Sequence, residues 1–302
     1  MMISILLSII LSTQIVIHTA HSGSEVSTEK EKNELYQKLL SEGVEAFYTT
    51  DWQRAGDIFE KMKSESPQDP LPHFFMSMMP FWEYFFIEQT GDLANEFLQK
   101  SEPAVKLSHD KLEKFPNDTT TVLMLSGLYG YRSLVAAGES NYRVAIQSGL
   151  TGFNFTRKLL SLGTDRPDAR IGRGMFYYMV GSIPREMRWA ANMVGIRGDV
   201  ELGFQELKRA AESDSYVSND AKMMLMYLYD KEERFDKAIE YAEILTKKFP
   251  GNVIFKFKKA QIHEKAGNMK LAGSLYSEVV KTDNPNLPDV KRKSIERLSV
   301  LN

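Results

Sequence analysis

The chain has 302 residues, 43% of them hydrophobic and 26% charged, a balance typical of a folded protein rather than a disordered one. Its net charge of -2 leaves no electrostatic footprint for nucleic acid. The absence of cysteine excludes disulfides, iron–sulfur clusters, thiol catalysis and thiolate zinc sites, together with a lipoprotein anchor on a mature N-terminal cysteine.

The first 23 residues hold no Lys, Arg, Asp or Glu, and Ile3 to Ile17 is almost wholly apolar. Ala20-His21-Ser22 fits a small-x-small cleavage site, so residues 1–22 read as a signal peptide cut after about Ser22. The n-region departs from the usual pattern, since only the terminal amine is positive. An uncleaved anchor is the other reading, but the apolar run is shorter than the ~20 residues a span needs. The expectation is an exported protein, in the periplasm or at the outer membrane of a bacterium. Residues 23–33 would form a flexible mature N-terminus, and residues 34–302 the folded domain.

Beyond this point strand signals are almost absent, and apolar residues recur at helical spacing. Leu35, Leu39 and Val44 to Phe47 start a first helix. Trp52, Ala55, Ile58, Phe59 and Met62 form the stripe of a second, before breaks at Pro67, Pro70 and Pro72. His73 to Ile87 is the most apolar stretch of the domain, with Phe74, Phe75, Phe81, Trp82, Tyr84, Phe85 and Phe86. It reads as a helix buried on most sides; the alternative is an apolar groove for a lipid or a partner helix. Asp92 to Phe115, Thr119 to Ala137 and Ser140 to Leu162 read as further helices, with Gly127 and Gly130 allowing close packing. Asp165-Arg166-Pro167-Asp168 looks like a helix start, with an Asx cap and Pro in the first turn. Ser182-Ile183-Pro184 opens another helix to about Val194. Arg197-Gly198-Asp199 is a turn, with Gly for a left-handed cap and Asp199 capping the next helix. Residues 286–302 look like an amphipathic capping helix.

Two segments repeat with a period of 34 residues: Phe235, Ala238 and Pro250 align with Met269, Ala272 and Asn284. That period is the length of a tetratricopeptide helix-turn-helix unit, and Gly43, Trp52, Ala55, Phe59 and Pro67 fit the same template. The fold class expected is an all-α, tetratricopeptide-like superhelix of about five to six helix pairs. Its central repeats (119–212) are irregular and two regular repeats occupy about 219–285.

Catalytic patterns are missing. There is no His-Glu-x-x-His, phosphate loop or dinucleotide fingerprint, and no Gly-x-Ser-x-Gly elbow. His73, His109 and His263 lack metal-ligand spacing, and no cofactor is expected. The candidate binding set is Arg170, Arg173, Tyr177, Tyr178, Arg185, Arg188 and Trp189, with Arg166 beside it, because arginine and aromatics dominate binding hot spots. The alternative is internal pairing of these arginines with Asp165, Asp168, Glu186 and Asp199. Changing Arg170, Arg173 and Tyr177 to Ala should, on the binding reading, weaken partner capture with little change in stability.

Gly174-Met175-Phe176-Tyr177-Tyr178, Ser182-Ile183-Pro184, Met187-Arg188, Val194-Gly195, Gly198-Asp199 and Glu201 to Leu207 form a spacing unusual for plain tetratricopeptide repeats. The pattern resembles the tetratricopeptide-repeat protein 39 family, which includes fungal inclusion-body-clearance proteins at the mitochondrial outer membrane. The resemblance implies a helical-repeat adaptor without known catalytic residues. Those relatives are longer and intracellular, whereas this chain reads as short and exported. The function expected is non-enzymatic: a scaffold in the cell envelope that takes a protein or peptide on its concave face, where the arginines select acidic groups. The alternative is a carrier of lipid or a small apolar ligand around Phe74 to Phe86.

Overall fold

The computed structural model describes residues 23–162, 165–183, 197–215, 217–282 and 284–301, with side chains from residue 31 onward apart from Asp168. Every regular element among them is helical. Six pairs follow one another: α1 (Gly23–Tyr48) with α2 (Trp52–Glu65), α3 (Pro70–Phe86) with α4 (Gly91–Lys114), α5 (Thr119–Gly138) with α6 (Tyr142–Ser161), α7 (Pro167–Gly181) with α8 (Val200–Ala211), α9 (Ser218–Lys231) with α10 (Phe235–Lys248), and α11 (Val253–Lys265) with α12 (Met269–Lys281). A last helix, α13 (Pro288–Leu301), covers the end of the stack. Neighbours in sequence are neighbours in space, as in a repeat solenoid.

Local chemistry explains where the helices start. Asp51, Asp69, Thr90, Asp118, Asn141, Asp199 and Asn252 each accept a backbone N–H of the first turn, filling donors that the helix itself leaves unmade. Pro70 and Pro72 do not break the chain, as their sequence position implies, but lie in the first turn of α3 behind the Asp69 cap. There the missing N–H costs nothing. The expected mobile stretch 23–33 falls within α1. The segments 1–22 and 184–196, with the expected cleavage site and the helix from Pro184, lie outside the described residues.

The 34-residue repeat has a direct structural meaning. Phe235 and Met269 are the first residues of α10 and α12. Ala238 and Ala272 are fully buried, where only a small side chain lets each second helix lie on its first. At the other end of the chain Gly43 plays that role, because a Cβ there would sit 2.7 Å from the Phe59 ring.

The stack curls until its ends meet. Tyr48, at the end of α1, stacks on Phe249 at 5.0 Å and its hydroxyl donates to the Asp220 carboxylate of α9. Asn252 donates through Nδ2 to the Tyr48 carbonyl at 2.7 Å. One turn along the stack, Asn284 donates to the Thr50 carbonyl at 3.1 Å. Glu88, just after α3, receives Arg292 and Lys293 of α13. Between these contacts lies α3. Trp82 meets Phe255 of α11 at 5.6 Å and Phe85 meets Tyr227 of α9 at 4.6 Å. Phe81 meets Tyr131 of α5 at 4.5 Å.

One hydrophobic core therefore runs from Leu39 through α3 to Val290. Each large apolar side chain in it contributes roughly 1.5–3 kcal/mol by leaving water. Part of the concave face expected from the repeat pattern is thereby covered from within the chain. Side chains of α9 and α11 meet the chain's own α1–α2 turn and α3. The Phe74 to Phe86 stretch makes its contacts with protein, and its residues Met78, Phe81, Trp82, Tyr84 and Phe86 are buried.

Candidate functional site

The expected site residues lie on α7, which begins at Pro167 after Arg166 without a side-chain cap. Asp165 does not cap it, contrary to the Asx reading. Its carboxylate instead faces Arg170 Nη2 at 3.2 Å and Arg173 Nη2 at 3.5 Å. The two arginines are three residues apart and share one helix face, which is turned toward α8. There they meet Glu206, whose side chain is only 8% exposed. Arg170 Nη1 donates to its two oxygens at 3.3 and 3.4 Å. Arg173 donates from Nε at 3.0 Å and from Nη2 at 2.9 Å. Arg209, one turn on from Glu206, adds a contact at 3.2 Å.

The arrangement has an inner and an outer part. Glu206 is the buried hub; in this setting removing one partner of a charge pair costs about 3–5 kcal/mol, because the other is left buried and unpaired. Asp165, with its side chain 86% exposed, closes the outer edge in water, where such a pair contributes about 0–1 kcal/mol. The two guanidinium groups are thus held from behind by Glu206 and met at the outer edge by Asp165.

The other expected site residues separate. Tyr178 is buried and donates to Glu232 at 2.6 Å; burial first, and then this carboxylate, push its hydroxyl pKa well above the usual tyrosine range. Tyr177 is half-buried on the next turn from Arg173, and its carbonyl accepts the Asp199 N–H at 3.1 Å. Arg185, Arg188 and Trp189 lie outside the described residues. Asp199 caps α8 as read, accepting from Leu202 N at 3.0 Å. Gly198 is not in a left-handed conformation; it abuts the backbone of Gly181.

Sequence reasoning found Asp165 as an ion-pair partner and missed Glu206 and Arg209. The signal was available: Glu206 follows Gly203 by three residues and precedes Ala210 by four, which puts a carboxylate on the buried face of α8. That face is close to α7 because Gly174 and Gly203 oppose each other. A Cβ on Gly203 would lie 2.8 Å from the Gly174 carbonyl oxygen and 2.8 Å from Tyr178 N.

Among the described residues no group of three His, Asp or Glu is placed to hold a metal, and no helix is long and apolar enough to cross a membrane. No curated protein matches the chain in a sequence search. The family model described as Iml2/Tetratricopeptide repeat protein 39 matches residues 167–299, from the first turn of α7 to the last turn of α13. The resemblance read at Gly174 to Leu207 is thereby shown, and it extends through the ion-pair hub and both regular repeats.

Proposed function

We propose that the chain is a non-enzymatic scaffold that binds a protein partner carrying an acidic group or a terminal carboxylate, at the edge formed by Arg170, Arg173 and Tyr177. The observation that carries the reading is the match of residues 167–299 to a tetratricopeptide-type family, an architecture that builds extended binding surfaces by repetition. In this mechanism Glu206 orients the two guanidinium groups. The exposed Asp165 carboxylate occupies the place a partner's carboxylate would take, so binding exchanges one carboxylate for another. Planar guanidinium groups suit that exchange because they offer paired donors. The apolar Ile3 to Ile17 run supports export, with the scaffold working in the cell envelope.

The test is affinity capture from envelope extract by the tagged chain, comparing the parent with Asp165→Asn and Tyr177→Ala. Neither change removes a group that pairs with the buried Glu206. The reading expects a reproducible protein partner, held more tightly by the first variant and less tightly by the second. Stoichiometric lipid with no protein partner would overturn it in favour of a carrier.

A further inference from the structure

The outer face of α6 is apolar where it should be wet. Tyr142, Ile146 and Leu150 follow each other at helical spacing of four and are 66%, 64% and 59% exposed. Leu134 of α5 and Met179 of α7 are exposed as well. Helical rotation places Leu134 on the same side of the α5/α6 hairpin as this stripe. The register is set by Ser133, which donates to the Ala145 carbonyl at 2.7 Å. Phe153, one turn beyond Leu150, stacks on Phe176 of α7 at 5.3 Å, so Met179 follows the line of the stripe. At Gly130 on α5, whose amide side packs against Gly152 of α6, a Cβ would meet nothing within 4 Å. An exposed apolar stripe along a helix is the mark of a helix-in-groove interface.

The charge around it is one-sided. Residues 119–164 contain a single acid, Glu139, and four bases, Arg132, Arg143, Arg157 and Lys158, in a chain that otherwise carries slightly more acid than base. Glu139 is turned to the Tyr84 hydroxyl at 3.1 Å, and Arg132 is tied to Ser101 and Glu102. Arg143 and Arg157 are exposed. Arg143 adjoins Tyr142, and Arg157 lies two turns beyond Leu150 with its guanidinium over the Phe153 ring at 5.8 Å, so the two stand about 21 Å apart along the helix.

We infer that this face docks an amphipathic helix of a partner protein, one that is acidic along the flanks of its apolar stripe. The apolar residues supply affinity and the two arginines fix direction and register. This surface is separate from the Arg170–Arg173 edge and stands whether or not that edge binds.

The experiment puts a photoreactive benzoylphenylalanine at position 146 of the full chain, in the cells that express it, and sequences the crosslinked segment. The expected product is a segment of another protein with apolar residues at helical spacing and Asp or Glu beside them. In the Arg143→Glu/Arg157→Glu background its yield should fall at least about fivefold, the effect of losing two rim charge pairs, with an unchanged melting temperature. Crosslinks to this chain, in the same or a second copy, would overturn the inference. So would crosslinks to lipid, to a segment without acids, or in no defined product, and so would a yield that ignores the charge reversal.

Discussion

Asn252 offers a clean test of ring closure, because its side chain serves two purposes that one substitution separates. Its Oδ1 caps α11, accepting from Phe255 N at 2.8 Å, and its Nδ2 donates to the Tyr48 carbonyl across the closure at 2.7 Å. Asn252→Asp keeps the cap acceptor, since Asp and Asn are equally good at that position. It removes the donor and turns a carboxylate toward the carbonyl in a site with no exposure. An unsatisfied buried carbonyl alone costs about 1–3 kcal/mol, and the like-signed contact adds to it. A loss of about 3 kcal/mol corresponds to a fall in Tm of about 6–12 °C for a protein of this size. Asn141→Asp is the control: the same cap, with Val144 N at 3.3 Å, on an exposed turn, should stay within about 0.5 kcal/mol. Urea and thermal unfolding of the two variants give the answer. Equal stability of Asn252→Asp and Asn141→Asp would refute the closure contact, because in an open superhelix both are interchangeable helix caps.

Four further outcomes follow from the same geometry. Arg170→Ala with Arg173→Ala should lower stability by up to about 3–5 kcal/mol by leaving the buried Glu206 to the exposed Arg209 alone, read by urea unfolding, so loss of binding in that variant would not isolate a binding role. Gly203→Ala should cost at least about 2 kcal/mol, because its Cβ would press on the α7 backbone where little can give; Gly56→Ala, where a Cβ meets nothing, should be neutral or better. Burial raises the Asp220 carboxyl to about 6, against a smaller lowering by the Tyr48 hydroxyl. A folded carboxyl that holds its proton more tightly than the unfolded one favours folding at low pH and loses that contribution as pH rises between about 4 and 6; Asp220→Asn should therefore flatten stability across that window and raise it at pH 7. Desolvation also raises Glu83, to about 7, helped by Asp289 and Glu96, so Glu83→Gln should act in the same direction up to neutral pH.

Much of the architecture was legible because repeat packing is local. The spacing of Phe235, Ala238, Met269 and Ala272 marks two helix starts and two close helix contacts, and both are decided within one repeat. The burial of Trp52, Ala55, Phe59 and Met62 follows from one helical stripe in the same way. Closure of the ring was not legible, because Tyr48 and Asn252 are about two hundred residues apart and neither is unusual in its own neighbourhood. The apolar excess of α3 did register the event, since a helix so rich in aromatics needs cover on several sides. It could not say that α9 and α11 supply that cover. The α7 arginines were ambiguous for a related reason: their decisive partner is on the next helix, and its approach depends on two glycines that carry no charge signal.

The absence of native cysteine makes the most direct measurement of ring closure unambiguous. A Cβ on Gly251 would lie 3.8 Å from the Thr49 Cβ, the usual separation across a disulfide. The Thr49→Cys/Gly251→Cys chain, oxidised under native conditions and analysed by non-reducing electrophoresis and mass spectrometry, should form an intramolecular bridge in nearly every molecule. It should also gain up to about 5 kcal/mol from linking residues so distant in sequence. Thiols that remain free in the folded chain, or pair only between chains, would show that the ends of the superhelix do not meet.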